Sequence, residues 1–94
     1  FQARELLVDG APVALTMREF DLLAYMMRHS GVVLSREKLL QNVWGWDFSG
    51  GSRTVDMHVL TLRQKLGEHA DAVETVRGVG YRLVGSRPGD SVVG

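Results

Sequence analysis

Residues 53–66 carry the pattern that most limits what this chain can fold into. Their apolar positions are spaced i, i+4, i+7 and i+11, which places them in one narrow sector of an α-helix. These positions are Val55, Val59, Leu62 and Leu66. The pattern therefore predicts a helix with one buried face, ended by Gly67. On the same helical projection, the opposite side holds Arg53, Met57, Leu60, Thr61 and Gln64.

Two shorter helices are predicted upstream. Thr16 and Glu19 have the spacing of a capping box, which indicates a helix from about Met17 to His29. Its apolar stripe is expected at Phe20, Leu23, Ala24 and Met27. Ser35 is typical of an N-cap and predicts a second helix over residues 36–43, with Trp44 closing the core. The glycine- and serine-rich residues 45–52 then form a loop, in which Ser52 is expected to cap the third helix.

Strand-like runs flank these helices. Residues 6–8 and 13–15 surround an Asp9-Gly10 turn signal, and residues 73–77 and 81–84 are joined through Gly78-Val79-Gly80, so each pair predicts a β-hairpin. The order of elements predicts an α+β winged helix-turn-helix over residues 1–84, with a disordered tail over residues 85–94. Since a helix packed on one face offers a free face that fits the DNA major groove, DNA reading is the leading hypothesis.

Composition excludes several other classes of protein. The 94 residues allow one compact domain, and the apolar runs are far shorter than the roughly 20 residues that span a bilayer. The absence of cysteine excludes disulfides and is consistent with an intracellular location. The three histidines lack the spacing of a helical zinc pair and no catalytic motif is present, so we expect neither an enzyme nor a metal or cofactor. Eleven Lys/Arg balance eleven Asp/Glu, which leaves open a winged helix that binds only protein.

Four strings of residues, in chain order, resemble one known family. They are Thr16-x-x-Glu19-Phe20-x-Leu22-Leu23, Leu34-Ser35-Arg36-Glu37-x-Leu39-Leu40-x-x-Val43-Trp44-Gly45, Arg53-Thr54-Val55-Asp56-x-His58-Val59-x-x-Leu62-Arg63-x-Lys65-Leu66 and Thr75-Val76-Arg77-Gly78-Val79-Gly80-Tyr81-Arg82. The family is the C-terminal winged-helix DNA-binding domain of OmpR/PhoB-type two-component response regulators.

The resemblance implies a bacterial cytoplasmic transcription regulator. Its receiver domain, N-terminal to this region, would be phosphorylated by a sensor kinase. It would bind tandem half-sites of duplex DNA with a second copy of itself, and would contact RNA polymerase. Family members usually open with a four-stranded sheet, so the chain is interpreted as a fragment that starts partway through it, with residues 1–5 poorly ordered. They also often have Arg or Lys at the positions of Leu60 and Thr61.

The candidate site residues lie on the third helix, the wing and the loop. The resemblance implies phosphate contact by Arg53, and Thr54, Arg63 and Lys65 are further phosphate candidates. Base edges are assigned by their chemistry to Met57, His58, Leu60 and Thr61. The resemblance implies backbone contact by Thr75, a minor-groove Arg77, and polymerase contact by Trp46, Asp47 and Phe48. For each of them an ordinary surface or connector role stays open, whereas Tyr81 is expected in the core.

Overall fold

The computed structural model describes residues 4–8, 10–46 and 48–84, with side chains from residue 7 onward. Residues 1–3, Asp9, Asp47 and the tail 85–94 lie outside the described residues, and so do the predictions made for them. Of the segment 1–5 that was expected to be poorly ordered, residues 4 and 5 lie in the first strand. Within the described part, three helices combine with two small antiparallel sheets, which confirms the predicted α+β architecture.

The helices follow the predicted order. Helix α1 spans Met17–Arg28, α2 spans Arg36–Leu39 and continues as a π-helical turn over Leu40–Trp44, and α3 spans Arg53–Leu66. A 3₁₀ turn over Gly67–Ala72, which the sequence analysis interpreted as a plain link, follows α3. The Thr16 hydroxyl accepts from Glu19 N and the Glu19 carboxylate accepts from Thr16 N, so the capping box is present. Ser52 is the exception, because its hydroxyl makes no capping hydrogen bond.

The strands form one hairpin and one three-stranded sheet. Strand β1 (Arg4–Val8) pairs with β2 (Ala11–Leu15), with Val8 opposite Ala11. In the second sheet, β3 (Leu34–Ser35) pairs with β5 (Gly80–Leu83), which in turn pairs with β4 (Val73–Val76). The β4–β5 hairpin is called the wing below. The short β3, which sequence reasoning missed, is held so close to β5 that a Cβ at Gly80 would lie 2.0 Å from the Leu34 carbonyl oxygen.

One core joins all these elements. Its buried side chains are Leu15, Leu22, Leu23, Met26, Leu34, Leu39, Val55, Val59, Leu62, Leu66, Val73, Tyr81 and Leu83. The predicted burial of Val55, Val59, Leu62 and Leu66 on α3, and of Tyr81, is confirmed. The predicted apolar stripe of α1 is wrong by one position. Phe20 and Ala24 are half-buried and Met27 is exposed. The same spacing also fits positions 19, 22, 23 and 26, and the carboxylate of Glu19 obscures that alternative in the sequence.

Candidate nucleic-acid interface

Helix α3 presents one open face. The exposed residues Arg53, Met57, Leu60 and Gln64 repeat at i, i+4, i+7 and i+11. This set is offset by two residues from the buried set, or about 200° around the helix, so the two sets lie on opposite faces. Gln64 was not among the predicted site residues, although the same phase would have identified it.

Thr61 and Lys65 turn toward α1. Both donate to Glu19, which is only 3% exposed: Thr61 Oγ1 to Glu19 Oε2 at 2.6 Å and Lys65 Nζ to Glu19 Oε1 at 2.6 Å. Thr61 therefore does not belong to the open side of α3, where the projection placed it. The Thr61 hydroxyl faces the Glu19 carboxylate of α1. A helical projection of α3 alone contains no information about a residue of another helix. Phosphate contact by Lys65 and base contact by Thr61 remain predictions. Both side chains are already hydrogen-bonded to Glu19.

Burial acts to raise the pKa of Glu19, but hydrogen bonds from Lys65, Thr61 and the Thr16 amide outweigh it. Together they hold that pKa at about 2, compared with the ordinary value of 4.5. Glu19 is thus an ionised group inside the helix pair, and it joins the start of α1 to the second half of α3.

Arg63 joins α3 to the wing. Its Nε and Nη2 donate to the Val73 carbonyl at 3.0 and 2.6 Å, and Nη2 also donates to Thr75 Oγ1 at 2.7 Å. The guanidinium lies 5.7 Å from the centre of the Tyr81 ring. The structure therefore brings together two predicted phosphate contacts, Arg63 and Thr75. Both acceptors are neutral, so these hydrogen bonds leave the charge of Arg63 uncompensated.

Asp56 makes a second link, which the sequence analysis did not predict. Its Oδ1 accepts from Arg36 Nε at 2.7 Å and from the Tyr81 hydroxyl at 2.5 Å. Burial acts to raise the pKa of Asp56, but these two hydrogen bonds outweigh it and lower that pKa below its usual range. Burial, followed by the hydrogen bond to Asp56, raises the pKa of Tyr81. The first half of α3 is thereby attached to α2 and to β5. Arg36 and Asp56 both belong to the strings that carry the family resemblance, and this membership is the sequence feature that could have identified them.

The N-terminal end of α3 holds three of the predicted DNA-contact residues, which are Arg53, Thr54 and His58. Arg53 is exposed and makes no hydrogen bond or ion pair within the described part of the chain. His58 Nδ1 lies 2.8 Å from the Thr54 carbonyl oxygen. Because a carbonyl only accepts, Nδ1 is the donor in this contact. The ring packs edge-on to Trp44, with 5.0 Å between ring centres.

The wing exposes one arginine at its turn. Arg77 is exposed next to Gly78, whose φ of 77° is suited to glycine. Arg82, by contrast, forms an ion pair with Glu74 across β4 and β5. Among the described wing residues, Arg77 is therefore the cation without a carboxylate partner.

The two aromatic residues of the loop between the π-helical turn and α3 differ in exposure. Trp46 is 81% exposed, whereas Phe48 lies near Trp44 with 6.4 Å between ring centres. Arg18 anchors the turn that precedes the loop: its Nη1 donates to the Val43 carbonyl at 2.6 Å and its guanidinium lies over the Trp44 ring. Trp46 thus faces solvent, and Phe48 lies beside Trp44 while remaining 39% exposed.

Within the described ranges, no three His, Asp or Glu residues lie close enough together to hold a metal ion. None of the helices found there has the length and apolar character needed to cross a membrane.

Comparisons with known proteins agree with this geometry. A family model described as "Transcriptional regulatory protein, C terminal" matches residues 10–83. The sensory transduction protein RegX3 of Mycolicibacterium smegmatis is 51% identical over 81 residues, which cover 83% of this chain and 36% of RegX3. The chain therefore spans about a third of the length of that relative.

Two solved structures are similar over most of the chain. The DNA-binding domain of Bacillus subtilis CssR matches with a TM-score of 0.74 and 38% identity, covering 86% of this chain and 100% of the solved domain. The Klebsiella pneumoniae RstA DNA-binding domain, solved in complex with the RstA box, matches with a TM-score of 0.75 and 33% identity, covering 86% of this chain and 83% of the solved domain.

Proposed function

Because the chain belongs to the OmpR/PhoB-type family of transcriptional regulatory C-terminal domains, we propose that it binds duplex DNA and controls transcription as the effector domain of a two-component response regulator. In this proposal α3 enters the major groove and the wing reaches the adjacent minor groove. The relatives' DNA-binding domains and the protein–DNA complex of RstA support it.

The observation that carries the proposal is the two-faced α3. One face is buried in the core and the opposite face is exposed along the whole 14-residue helix, which is about 21 Å long. The B-DNA major groove, roughly 12 Å wide, admits such a helix. The Arg63 and Asp56 hydrogen bonds hold the wing beside it, so both elements approach DNA as one body.

The local charge distribution fits a DNA contact better than the net charge of zero suggests. Three cations of α3 and the wing have no carboxylate at ion-pair distance within the described residues, namely Arg53, Arg63 and Arg77. Other cations near this face are compensated in ion pairs, which are Arg36–Asp56, Lys65–Glu19 and Arg82–Glu74. We therefore expect each domain to neutralise about three phosphates.

A salt titration tests this expectation. With about three phosphate contacts, the logarithm of the association constant should fall with the logarithm of salt concentration at a slope near −2.7. The variant Arg53→Gln with Arg77→Gln should reduce the slope to about −0.9, while Arg28→Gln, on an exposed part of α1, should leave it unchanged. A slope near zero with measurable binding would refute the three phosphate contacts. No measurable binding to duplex DNA at low salt would refute DNA binding and favour a winged helix that binds only protein.

The rest of the proposed role concerns a longer protein, since this chain covers only 36% of RegX3. There, a receiver domain phosphorylated by a sensor kinase would join two copies on tandem half-sites, in the cytoplasm where the DNA lies. Phosphorylation should then tighten binding to a duplex with two half-sites more than to one with a single half-site, because the second copy gains effective concentration. Equal effects on both duplexes, measured by gel shift, would contradict paired binding.

The loop is proposed to contact RNA polymerase through Trp46, with Asp47 and Phe48 beside it in sequence. Trp46→Ala should leave DNA affinity and the melting temperature unchanged, because the side chain is 81% exposed, while transcription in a reconstituted assay falls. Phe48→Ala serves as the comparison, because this ring packs near Trp44 and its loss should also lower stability. Full transcription with Trp46→Ala would rule out the polymerase contact.

A further inference from the structure

We propose that α3 selects its DNA site by contact with thymine methyl groups, and that Met57 and Leu60 are the residues that determine this specificity. The inference rests on the proposed DNA binding and adds the class of base that the helix recognises.

The centre of the open face of α3 is apolar. Met57 is 59% exposed and Leu60 is 56% exposed, and their i, i+3 spacing makes them neighbours on the helix surface. Arg53 flanks the pair toward the start of the helix and Gln64 toward its end. A single exposed leucine is ordinary on a protein surface. Here, two large apolar side chains occupy the middle of the face that the proposed function turns toward the bases.

Three polar residues from the same part of the helix, Thr61, Lys65 and Arg63, are engaged elsewhere. The Thr61 hydroxyl and the Lys65 ammonium are hydrogen-bonded to the buried Glu19 carboxylate. Arg63 is directed along the wing, to the Val73 carbonyl and Thr75. A bidentate contact from arginine or lysine to guanine, the commonest specific contact, is thus unavailable at the centre of α3.

Thymine is the base that fits the remaining surface. Of the four bases, it alone presents a methyl group in the major groove, and apolar side chains recognise that methyl by direct contact. Burying one methyl group is worth about 0.8 kcal/mol, or about fourfold in affinity. Two thymines under Met57 and Leu60 should therefore be preferred by about 15-fold over bases that differ only in lacking the methyl.

The test begins with a random-sequence duplex library, from which the 94-residue chain enriches its preferred sequences at low salt. In the best-bound duplex, each thymine is then replaced by deoxyuridine, which removes only the methyl group. We expect two adjacent positions to lose about fourfold in affinity each, while deoxyuridine elsewhere in the duplex has little effect.

Variants assign the effect to its side chains. Leu60→Ala and Met57→Ala should each abolish the difference between thymine and uracil at one of those positions. Met27→Ala is the matched control, because Met27 is a methionine of similar exposure (56%) on α1, and it should retain the difference.

The outcomes separate the two proposals. If the chain binds duplex DNA but affinity is equal for thymine and uracil at every position, the methyl inference fails and DNA binding stands. The same holds if the difference survives in both alanine variants. If no duplex is enriched or bound, the proposed function fails and the inference fails with it.

Discussion

Replacing Glu19 with glutamine should change how the stability of this domain depends on pH. The carboxylate is 3% exposed and accepts hydrogen bonds from Thr16 N, Thr61 and Lys65, which hold its pKa at about 2 in the folded chain. In the unfolded chain its pKa returns to about 4.5. Since each tenfold difference in acid strength is worth about 1.36 kcal/mol, ionised Glu19 contributes about 3 kcal/mol to the free energy of unfolding at neutral pH.

The lowered pKa of Glu19 sets the direction in which stability changes with pH. The contribution is fully present above the unfolded pKa of 4.5 and is lost as the pH falls toward the folded pKa of about 2. The Glu19→Gln variant lacks this titration. The free energy of unfolding of wild type should therefore exceed that of the variant by about 3 kcal/mol at pH 7 and by less than about 1 kcal/mol at pH 2.5.

Urea unfolding followed by circular dichroism at pH 7, 4 and 2.5 measures the difference directly. Glu68→Gln, at an exposed glutamate after α3, is the matched control and should track wild type at every pH. Lys65→Gln should raise the pKa of Glu19, visible in the chemical shift of its carboxyl carbon, because it removes the largest favourable hydrogen bond. A wild-type advantage over Glu19→Gln that stays constant from pH 7 to 2.5 would refute the reasoning.

Two further predictions concern the wing. Arg77→Ala should weaken binding to a selected duplex by about 1 to 3 kcal/mol, with a larger effect when the flanking sequence is rich in A·T pairs, whose narrow minor groove attracts arginine. Unchanged affinity in a titration would exclude a minor-groove role. Gly80→Ala should destabilise the fold by about 1 to 3 kcal/mol, because its Cβ would lie 2.0 Å from the Leu34 carbonyl oxygen and strands β3 and β5 would have to separate. Gly51→Ala, with no atom near its Cβ, should unfold at the wild-type urea concentration, and similar losses in both variants would contradict a specific clash at Gly80.

The local patterns in the sequence determined the three helices and the two hairpins of this fold. The capping box at Thr16 and Glu19, the N-cap at Ser35 and the apolar spacing of α3 each depend on residues within a few turns of one helix. Such interactions are readable because helical periodicity sets which side chains meet. The same periodicity identified the open face of α3 that carries Met57 and Leu60.

Tertiary structure alone decided which polar side chains of α3 remain available. Thr61 and Lys65 meet Glu19 across 42 and 46 residues of sequence, and Arg63 reaches Thr75 across 12. Nothing in the spacing within α3 indicates these partners, because they are supplied by α1 and the wing. The one-position error in the α1 stripe has the same origin, since a glutamate is a poor candidate for burial until the positions of Thr61 and Lys65 are known. Periodicity assigns a residue to a face of its helix, but the packing of neighbouring elements decides whether its polar group meets water or a buried partner.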